Sequence, residues 1–474
     1  MSSPQYDSHP TLDAVFKPES IAVVGASRTP GKIGHEILRN LKLSGYAGTV
    51  YPINPQAGHI LGLKCFARIE DVRGQKVDLA VIALPAQLVQ QTLESCGRVG
   101  VRAVIIITSG FSEVGKAEEE AKLVEIARTY KMRIIGPNTF GIFYAPSKLN
   151  CTFGPNYVLS GKTAFITQSG ALGLALMSWT TEEKYGVSSI VSIGNKSDVD
   201  DADLIEYFAQ DEDTKSILIY MEGLKDGKRF YEASKEAVKK KPIIVIKSGR
   251  SQRGATAASS HTGSIAGQDR VYDAAFKGAG ILRADTMTQA FDWLQAINEN
   301  PIPQGENIMI ITNGGGIGVL ATDKCEQLGL KLMDVPEDLK AQLQETVPSY
   351  GSLRNPIDLT ANADDETYRR ALSLLMHRED VHGIIALFCQ TATIDPSLVA
   401  DAIATVDEGA KATRSKPLTA AFVGGHLSEV AYKRMLEKRF AAYPTTERCV
   451  DGMYALVARR RELLSAGLLS LQGH

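Results

Sequence analysis

The sequence has no surplus of charge: Lys and Arg total 52 against 54 for Asp and Glu over 474 residues. Binding to nucleic acid or to an anionic membrane surface draws on a basic excess, so this balance argues against both and favours a small-molecule role. No apolar run approaches the roughly 20 residues needed to cross a bilayer. The opening MSSPQYDSHP lacks the basic, apolar and small-residue order of a signal peptide. A soluble, cytoplasmic chain is expected. Cysteine is sparse and scattered: Cys65, Cys96, Cys151, Cys325, Cys389 and Cys449 form no CxxC pair and no metal-ligand spacing. Reduced, mostly buried thiols are expected, with neither disulfides nor zinc. Also missing is a GxxxxGK[ST] loop that would cradle the phosphates of ATP.

What the sequence does contain is an alternation of short β-branched runs with amphipathic helical stretches, the pattern of parallel sheets with crossover helices. The fold class is therefore α/β. At roughly 150 residues per domain, about three domains are expected. In the first third the strand candidates are IAVVGA (21–26), TVYPIN (49–54), LAVIAL (79–84), AVIIIT (103–108) and RIIG (133–136). These predict a Rossmann-like first domain. The rhythm breaks in a Pro-, Asn- and Gly-rich passage at 145–161 and again at ENPIPQGEN (299–307), which read as linkers. The expected domains are 1–145, 146–300 and 301–474.

The second and third domains read as one doubly wound, flavodoxin-like unit used twice. FITQSGALGLAL (165–176) lines up with IITNGGGIGVLA (310–321), the stretch 194–222 with 354–390, and KPIIVIKSG (241–249) with KPLTAAFVG (416–424). The copies differ where chemistry would sit. Glu222 aligns with Gln390, and the long small-residue stretch around His261 has no counterpart after AAFVGG.

The turn VVGASRTPGKIGHEIL (23–38) follows the first strand. Gly25 lets a ligand approach the backbone, and the helix that follows offers unpaired N–H groups and a partial positive charge to a phosphate; the alternative is a plain helix-capping turn. Ser27 stands where a dinucleotide fingerprint has its second glycine, and the second strand ends in PINP with no carboxylate for a ribose diol. NAD fits poorly. With Lys32 adding charge, a nucleotide richer in phosphate, such as coenzyme A, fits better. Pro85 follows the third strand, TSGFSEVG (108–115, with Ser109 and Gly110) the fourth, and GPNTFGI (136–142, with Asn138) the fifth. These loops belong on the same rim, either along a pantetheine arm or as strand-to-helix punctuation. In TQSGALG (167–173), Ser169 and Gly170 open a helix without bulk, which makes either an anion site or a tight strand-to-helix packing turn.

His261 lies in SGRSQRGATAASSHTGSIAGQD (248–269), which begins as the strand IIVIKSG ends. So long a stretch of small residues is uncommon in a folded domain unless it is disordered or functional. Alone, a loop histidine reads as an exposed polar residue. Beside it, however, Glu222 ends the neighbouring strand ILIYME, where a carboxylate can fix one imidazole nitrogen and leave the other nucleophilic. With the Ser169 helix start nearby, the set points to a histidine that accepts a phosphoryl group. No further ligands for a metal are found close by.

At this point a family resemblance emerges. SSHTGSIAG, followed by GAGILRADTMTQAFD (278–292), resembles the phosphohistidine region of the NDP-forming (ADP-forming) acyl-CoA synthetases, relatives of succinyl-CoA synthetase. VVGAS, YPINP, GPNTFGI, TQSGALG and NPIDLT are similar to that family in its usual order. The resemblance implies a CoA-binding Rossmann-like domain followed by two flavodoxin-like CoA-ligase domains, the arrangement of an alpha subunit. It implies that His261 is phosphorylated, that Glu222 steadies it, and that Ser169 and Gly170 belong to the phosphate site. Gly25, Ser27, Lys32, Pro52, Asn54 and Pro55 would lie along CoA. The chain departs from the family pattern in the third domain, with TANADD after NPIDLT and TNGGGIG for a more usual TNAGGPG.

The implied reaction is acyl-CoA plus ADP plus phosphate in equilibrium with carboxylate, CoA and ATP, through an acyl phosphate and a phosphohistidine. The family's ATP-grasp domain, which holds Mg2+ and ADP or ATP, is missing here, so a separate ATP-grasp beta subunit is expected, in an alpha2beta2 assembly. The rival readings are an NAD-dependent oxidoreductase, a nonenzymatic CoA-sensing subunit and a structural scaffold.

Overall fold

The computed structural model describes residues 12–72, 74–251, 253–254, 269–410 and 416–469. His261 lies outside the described residues. The chain divides into two units, one ending at Arg283 and the other starting at Ala284. No helix among the described residues is long and apolar enough to cross a membrane.

In the first unit, the apolar runs of the first third form a parallel sheet of five strands in the order Thr49–Ile53, Ser20–Val24, Leu79–Ile82, Ala103–Ile106, Arg133–Ile135. Ser20–Val24 and Leu79–Ile82 are buried along their whole length, as central parallel strands covered on both faces must be. From Ser20–Val24 the chain crosses to one side, then returns to place Leu79–Ile82 on the other. Open α/β sheets place ligands beyond the carboxyl ends of strands at such a reversal. Two glycines shape the turn there. Gly25 has φ +93°, and a Cβ there would sit 2.3 Å from the Ala83 carbonyl oxygen. At Gly34, in the first turn of helix Ile33–Leu43, a Cβ would lie 2.0 Å from the Gly25 oxygen.

A second sheet in this unit has the strand order Leu282–Ala284, Ile243–Lys247, Ser216–Met221, Ser160–Thr167, Val187–Ser192, Gly141–Tyr144, Leu149–Thr152. Its last two strands run antiparallel, and they correct the reading of 145–161 as a linker. The passage turns tightly, with Lys148 at φ +50° and its N–H on the Ala145 carbonyl (2.9 Å), and pairs Gly141–Tyr144 with Leu149–Thr152. Helix Ile33–Leu43 packs on this hairpin: Asn40 donates to the carbonyls of Thr152 and Gly154, both at 2.9 Å. Ile37, Leu38 and Leu41 of that helix share one apolar core with Tyr144, Leu149 and Cys151.

The second unit carries a parallel sheet in the order Lys331–Leu332, Asn307–Thr312, Gly383–Cys389, Leu418–Val423, Ala442–Tyr443, with Ile357–Asp358 also pairing Asn307–Thr312. The central strands follow the same order as their counterparts in the second sheet. Local geometry repeats as well. Thr167 Oγ1 donates to the Ser169 carbonyl (2.9 Å) and accepts from its N–H (3.0 Å), while Thr312 Oγ1 does the same with Gly314 at 3.1 and 3.0 Å. The copies part company after their last central strand. Leu418–Val423 is followed after two glycines by helix His426–Glu437, whereas between Ile243–Lys247 and helix Asp269–Ala279 the sequence inserts residues 248–268.

Because the helix packs directly on the Gly25 turn, Gly34→Ala is expected to destabilise the protein by about 1–3 kcal/mol through overpacking. A lowered urea midpoint with unchanged m-value would register this. A midpoint equal to the parent's would show that the turn yields at no cost.

Candidate functional site

The turn after the first strand is held from several sides. Asn54 donates to the Ala26 carbonyl (2.7 Å) and accepts from the Gln56 N–H (2.7 Å), so its amide clamps the turn. The buried His35 places Nδ1 3.1 Å from the Ser27 carbonyl, and Ser27 Oγ accepts from Thr29 N–H at 3.1 Å. Lys32 is exposed at the helix start, which has no side-chain cap. Gly25, Ser27, Lys32 and Asn54 thus gather at one end of the sheet. Pro52 does not join their surface: it is buried in its strand, its carbonyl taken by Phe66 N–H (2.9 Å), while Pro55 is exposed beyond it.

The loops after the next three strands are stitched to one another. Thr108 Oγ1 donates to the Leu84 carbonyl (2.6 Å), and Asn138 N–H donates to the Thr108 carbonyl (2.9 Å). Pro85 caps the start of helix Ala86–Arg98, and Ser109 is exposed. Gly110, at φ +108°, donates its N–H to Glu113 (2.5 Å), which also accepts from Phe111 N–H (3.2 Å) and from the Asn195 amide (2.5 Å). Asn195 donates to Glu120 (2.8 Å) as well and accepts from the Asn138 amide (3.2 Å). Pro85, Ser109, Gly110 and Asn138 therefore share a rim, joined through Asn195 to the second sheet.

On the second sheet, the strand ends converge. Thr167 pairs in register with Tyr220, and Met221 with Lys247. The helix start at Ser169, the carboxylate of Glu222 and the chain leaving Lys247 thus emerge side by side. Ser169 caps helix Gly170–Glu182 by accepting from Leu172 N–H (3.3 Å), and the space a Gly170 side chain would fill is open. Glu222 is only 6% exposed. Its N–H and that of Gly223 donate to Gln168 Oε1 at 2.8 and 3.0 Å, and Gln168 Nε2 donates to Asp201 and to the Gly223 carbonyl. Lys247, 3% exposed, lies with Nζ 4.6 Å from the Tyr272 ring centroid. Burial pushes its pKa down, with Asp269 opposing the shift. Among the described residues no group of three or more His, Cys, Asp or Glu side chains gathers to hold a metal ion.

Sequence reasoning missed Gly34, Glu113, Gln168 and Asn195. Gln168 stands in the TQSG motif itself, and its place beside Ser169 was the available signal; Gly34 likewise lies in the turn 23–38, against Gly25. Glu113 and Asn195 are partners 82 residues apart.

Three family models match in succession: the CoA binding domain over residues 19–145, the succinyl-CoA ligase like flavodoxin domain over 160–297 and the ligase-CoA domain over 308–469. The chain is 51% identical over 452 residues to the acetate–CoA ligase [ADP-forming] I subunit alpha of Pyrococcus furiosus, covering 94% of this chain and 97% of that one. It is 42% identical to the acetate–CoA ligase [ADP-forming] of Methanocaldococcus jannaschii, across 93% of this chain but 62% of that protein. A solved structure from Ca. Korarchaeum cryptofilum, a dinucleotide forming acetyl-coenzyme A synthetase 1 in complex with phosphate and ADP, is similar at TM-score 0.93 and 47% identity, covering 96% of this chain and 98% of that one.

Glu113 generates a pH prediction. Burial pushes its carboxyl up, but the N–H of Gly110, the Asn195 amide and the N–H of Phe111 outweigh it and leave the pKa below the ordinary carboxylate value. A value lowered by folding gives stability that is complete above the unfolded pKa of about 4.3 and is lost as pH falls through the lowered one. Glu113→Gln should therefore flatten the acid limb of a melting-temperature profile. Parallel profiles for parent and variant would refute this role.

Proposed function

We infer the function from one premise: this chain belongs to the family of ADP-forming acetate–CoA ligase alpha subunits. It is an acid–thiol ligase that interconverts acyl-CoA, ADP and phosphate with carboxylate, CoA and ATP. Its domains are taken as 1–145 for CoA, 146–300 for the phosphoryl chemistry and 301–474 for the second ligase domain. Coenzyme A would lie along Gly25, Ser27, Lys32, Pro52, Asn54 and Pro55, with the pantetheine arm passing Pro85, Ser109, Gly110 and Asn138. The strand-order reversal at the Gly25 turn and the linked loops beside it support this path.

A phosphate oxygen attacks the thioester carbonyl, the C–S bond breaks, and CoA leaves as an acyl phosphate forms. A ring nitrogen of His261 then takes the phosphoryl group and the carboxylate departs. Glu222 orients the imidazole through its other nitrogen, and Ser169 with Gly170 binds the phosphate at the helix start. Phosphoryl transfer leaves little covalent work to the protein, so positioned dipoles and charges carry the catalysis. The phosphoryl group finally passes to ADP, which with Mg2+ would be held by a separate ATP-grasp beta subunit in an alpha2beta2 assembly. The subunit naming of the Pyrococcus relative supports a partner of this kind. The cytoplasm is the expected location.

The observation that carries this reading is the convergence of three neighbouring strand ends: the Ser169 helix start, the Glu222 carboxylate and the chain that leads toward His261. The test is intact-mass analysis after incubation with acetyl-CoA and phosphate, read for a phosphoryl adduct. His261→Ala should abolish that adduct and net ATP synthesis while CoA binding by calorimetry stays intact; normal turnover by this variant would end the phosphohistidine mechanism. Glu222→Gln, which keeps shape but removes charge, should slow single-turnover phosphorylation by about 10²-fold or more. The chain alone should form no ATP until an ATP-grasp subunit is added, and robust synthesis without one would overturn the division of labour.

A further inference from the structure

The backbone that carries Glu222 is gripped by a single buried amide. We propose that Gln168 is the positioning residue of this carboxylate, an inference that rests on the role given to Glu222 above. Gln168 is 8% exposed, and both ends of its amide are engaged. Oε1 accepts from Glu222 N–H (2.8 Å) and Gly223 N–H (3.0 Å), while Nε2 donates to the Asp201 carboxylate (2.9 and 3.1 Å) and to the Gly223 carbonyl (3.0 Å). Asp201, also buried, accepts only, which fixes which end of the amide faces it. Lys196 Nζ donates to the same carboxylate (3.0 Å) and to the Gly223 carbonyl (2.5 Å). Gly223, the residue after Glu222, is therefore held at its N–H by Gln168 and at its carbonyl by Gln168 and Lys196.

The duplicated copy supplies an independent comparison. Asn313 occupies the place of Gln168 after an identical threonine turn, and it too bridges to the neighbouring strand: Nδ2 donates to the Cys389 carbonyl (2.9 Å) and Oδ1 accepts from the Cys389 N–H (2.7 Å). Its side chain is one methylene shorter, and its bridge is confined to Cys389, which the strand registers put in the place of Glu222, correcting the sequence alignment of Glu222 with Gln390: Thr167 pairs with Tyr220 and Thr312 with Leu387. The residue that follows, Gln390, is uncharged and accepts from Ser428 N–H (3.1 Å) at the start of the next helix. The longer amide in the first copy thus reaches one residue further, to the N–H and carbonyl of Gly223 as well as the N–H of Glu222. The shorter one holds the N–H and carbonyl of Cys389 alone. The difference between a grip on one residue and a grip on two, which fixes the backbone on both sides of the Glu222 side chain, is one methylene.

That difference defines the experiment. Gln168→Asn installs the residue that the same fold accepts in its second copy, so the variant should fold. In the assembled enzyme it should lower the single-turnover rate of chain phosphorylation from labelled ATP by on the order of 10–100-fold, the loss expected for a misplaced catalytic group. The KM for acetyl-CoA should not move. Combined with Glu222→Gln, the loss should be no greater than that of Glu222→Gln alone, since the amide acts only through the carboxylate. Gln168→Met, which keeps length without the amide, is the second probe should the asparagine variant fail to fold, with the same expectation. Parent-like phosphorylation in either folded variant, or losses that multiply in the double variant, overturns the inference while leaving the role of Glu222 intact. A parent-like rate for Glu222→Gln itself removes that role, and the inference with it.

Discussion

Every candidate site residue depends on one geometric constraint: a parallel sheet brings all its carboxyl ends to the same edge. Antiparallel strands would send alternate loops to opposite edges, but each crossover helix here returns the chain so that the next loop opens beside the last. Residues far apart in sequence then become neighbours without any direct selection of their spacing. Gly25, Pro85, Ser109 and Asn138 share a rim because Val24, Ile82, Ile106 and Ile135 end strands that run the same way. Ser169 and Glu222 share another for the same reason. The long buried Val and Ile runs thus fix the fold's core and, through direction alone, its chemistry.

The two rims of the first unit are in hydrogen-bonded contact. Glu113 takes the N–H groups of Gly110 and Phe111 on the loop after Ala103–Ile106 and the amide of Asn195 from the second sheet. The next residue, Lys196, reaches the Gly223 carbonyl and Asp201, which in turn hold Gln168. A displacement of the loop at Gly110 is therefore opposed by bonds that end at the backbone of Glu222. Most of these groups are buried, where an unmade hydrogen bond costs about 1–3 kcal/mol, so the set favours one arrangement. The proposed thiol-ester and phosphoryl steps need the two rims in fixed register, and this is the element that supplies it.

The fold class and the placement of the strands were legible because periodicity and β-branched runs are local signals. So was the pairing of Ser169 with Glu222, since each follows a recognisable strand. The hairpin within 141–152 was not legible: its strands are short, it closes through Ala145–Pro146, and Gly- and Pro-rich composition reads as a break. Glu113 and Lys196 were illegible for a different reason. Their roles lie in partners 82 and 27 residues away, and no local pattern distinguishes such a glutamate or lysine from a surface one. Asn54 shows the converse: the sequence reads it as a ligand contact, and in the structure its amide donates to the Ala26 carbonyl and accepts from the Gln56 N–H, holding the shape of the turn.

Duplication explains why these silent residues matter. Two copies with the same strand order and the same threonine turns start from equal scaffolds, and what separates them is small: Glu222 against Cys389, Gln168 against Asn313, a long segment against two glycines. A buried carboxylate is costly unless its surroundings are satisfied, so it cannot be added to a strand end alone. The copy that carries it also carries the longer amide, the Asp201 acceptor and the Lys196 donor around the adjoining peptide. The other copy has the uncharged Cys389 at that register position, bridged by Asn313. Glu222, Gln168, Asp201 and Lys196 thus form one set, and the smallest change that would dismantle the set is the loss of one methylene at position 168.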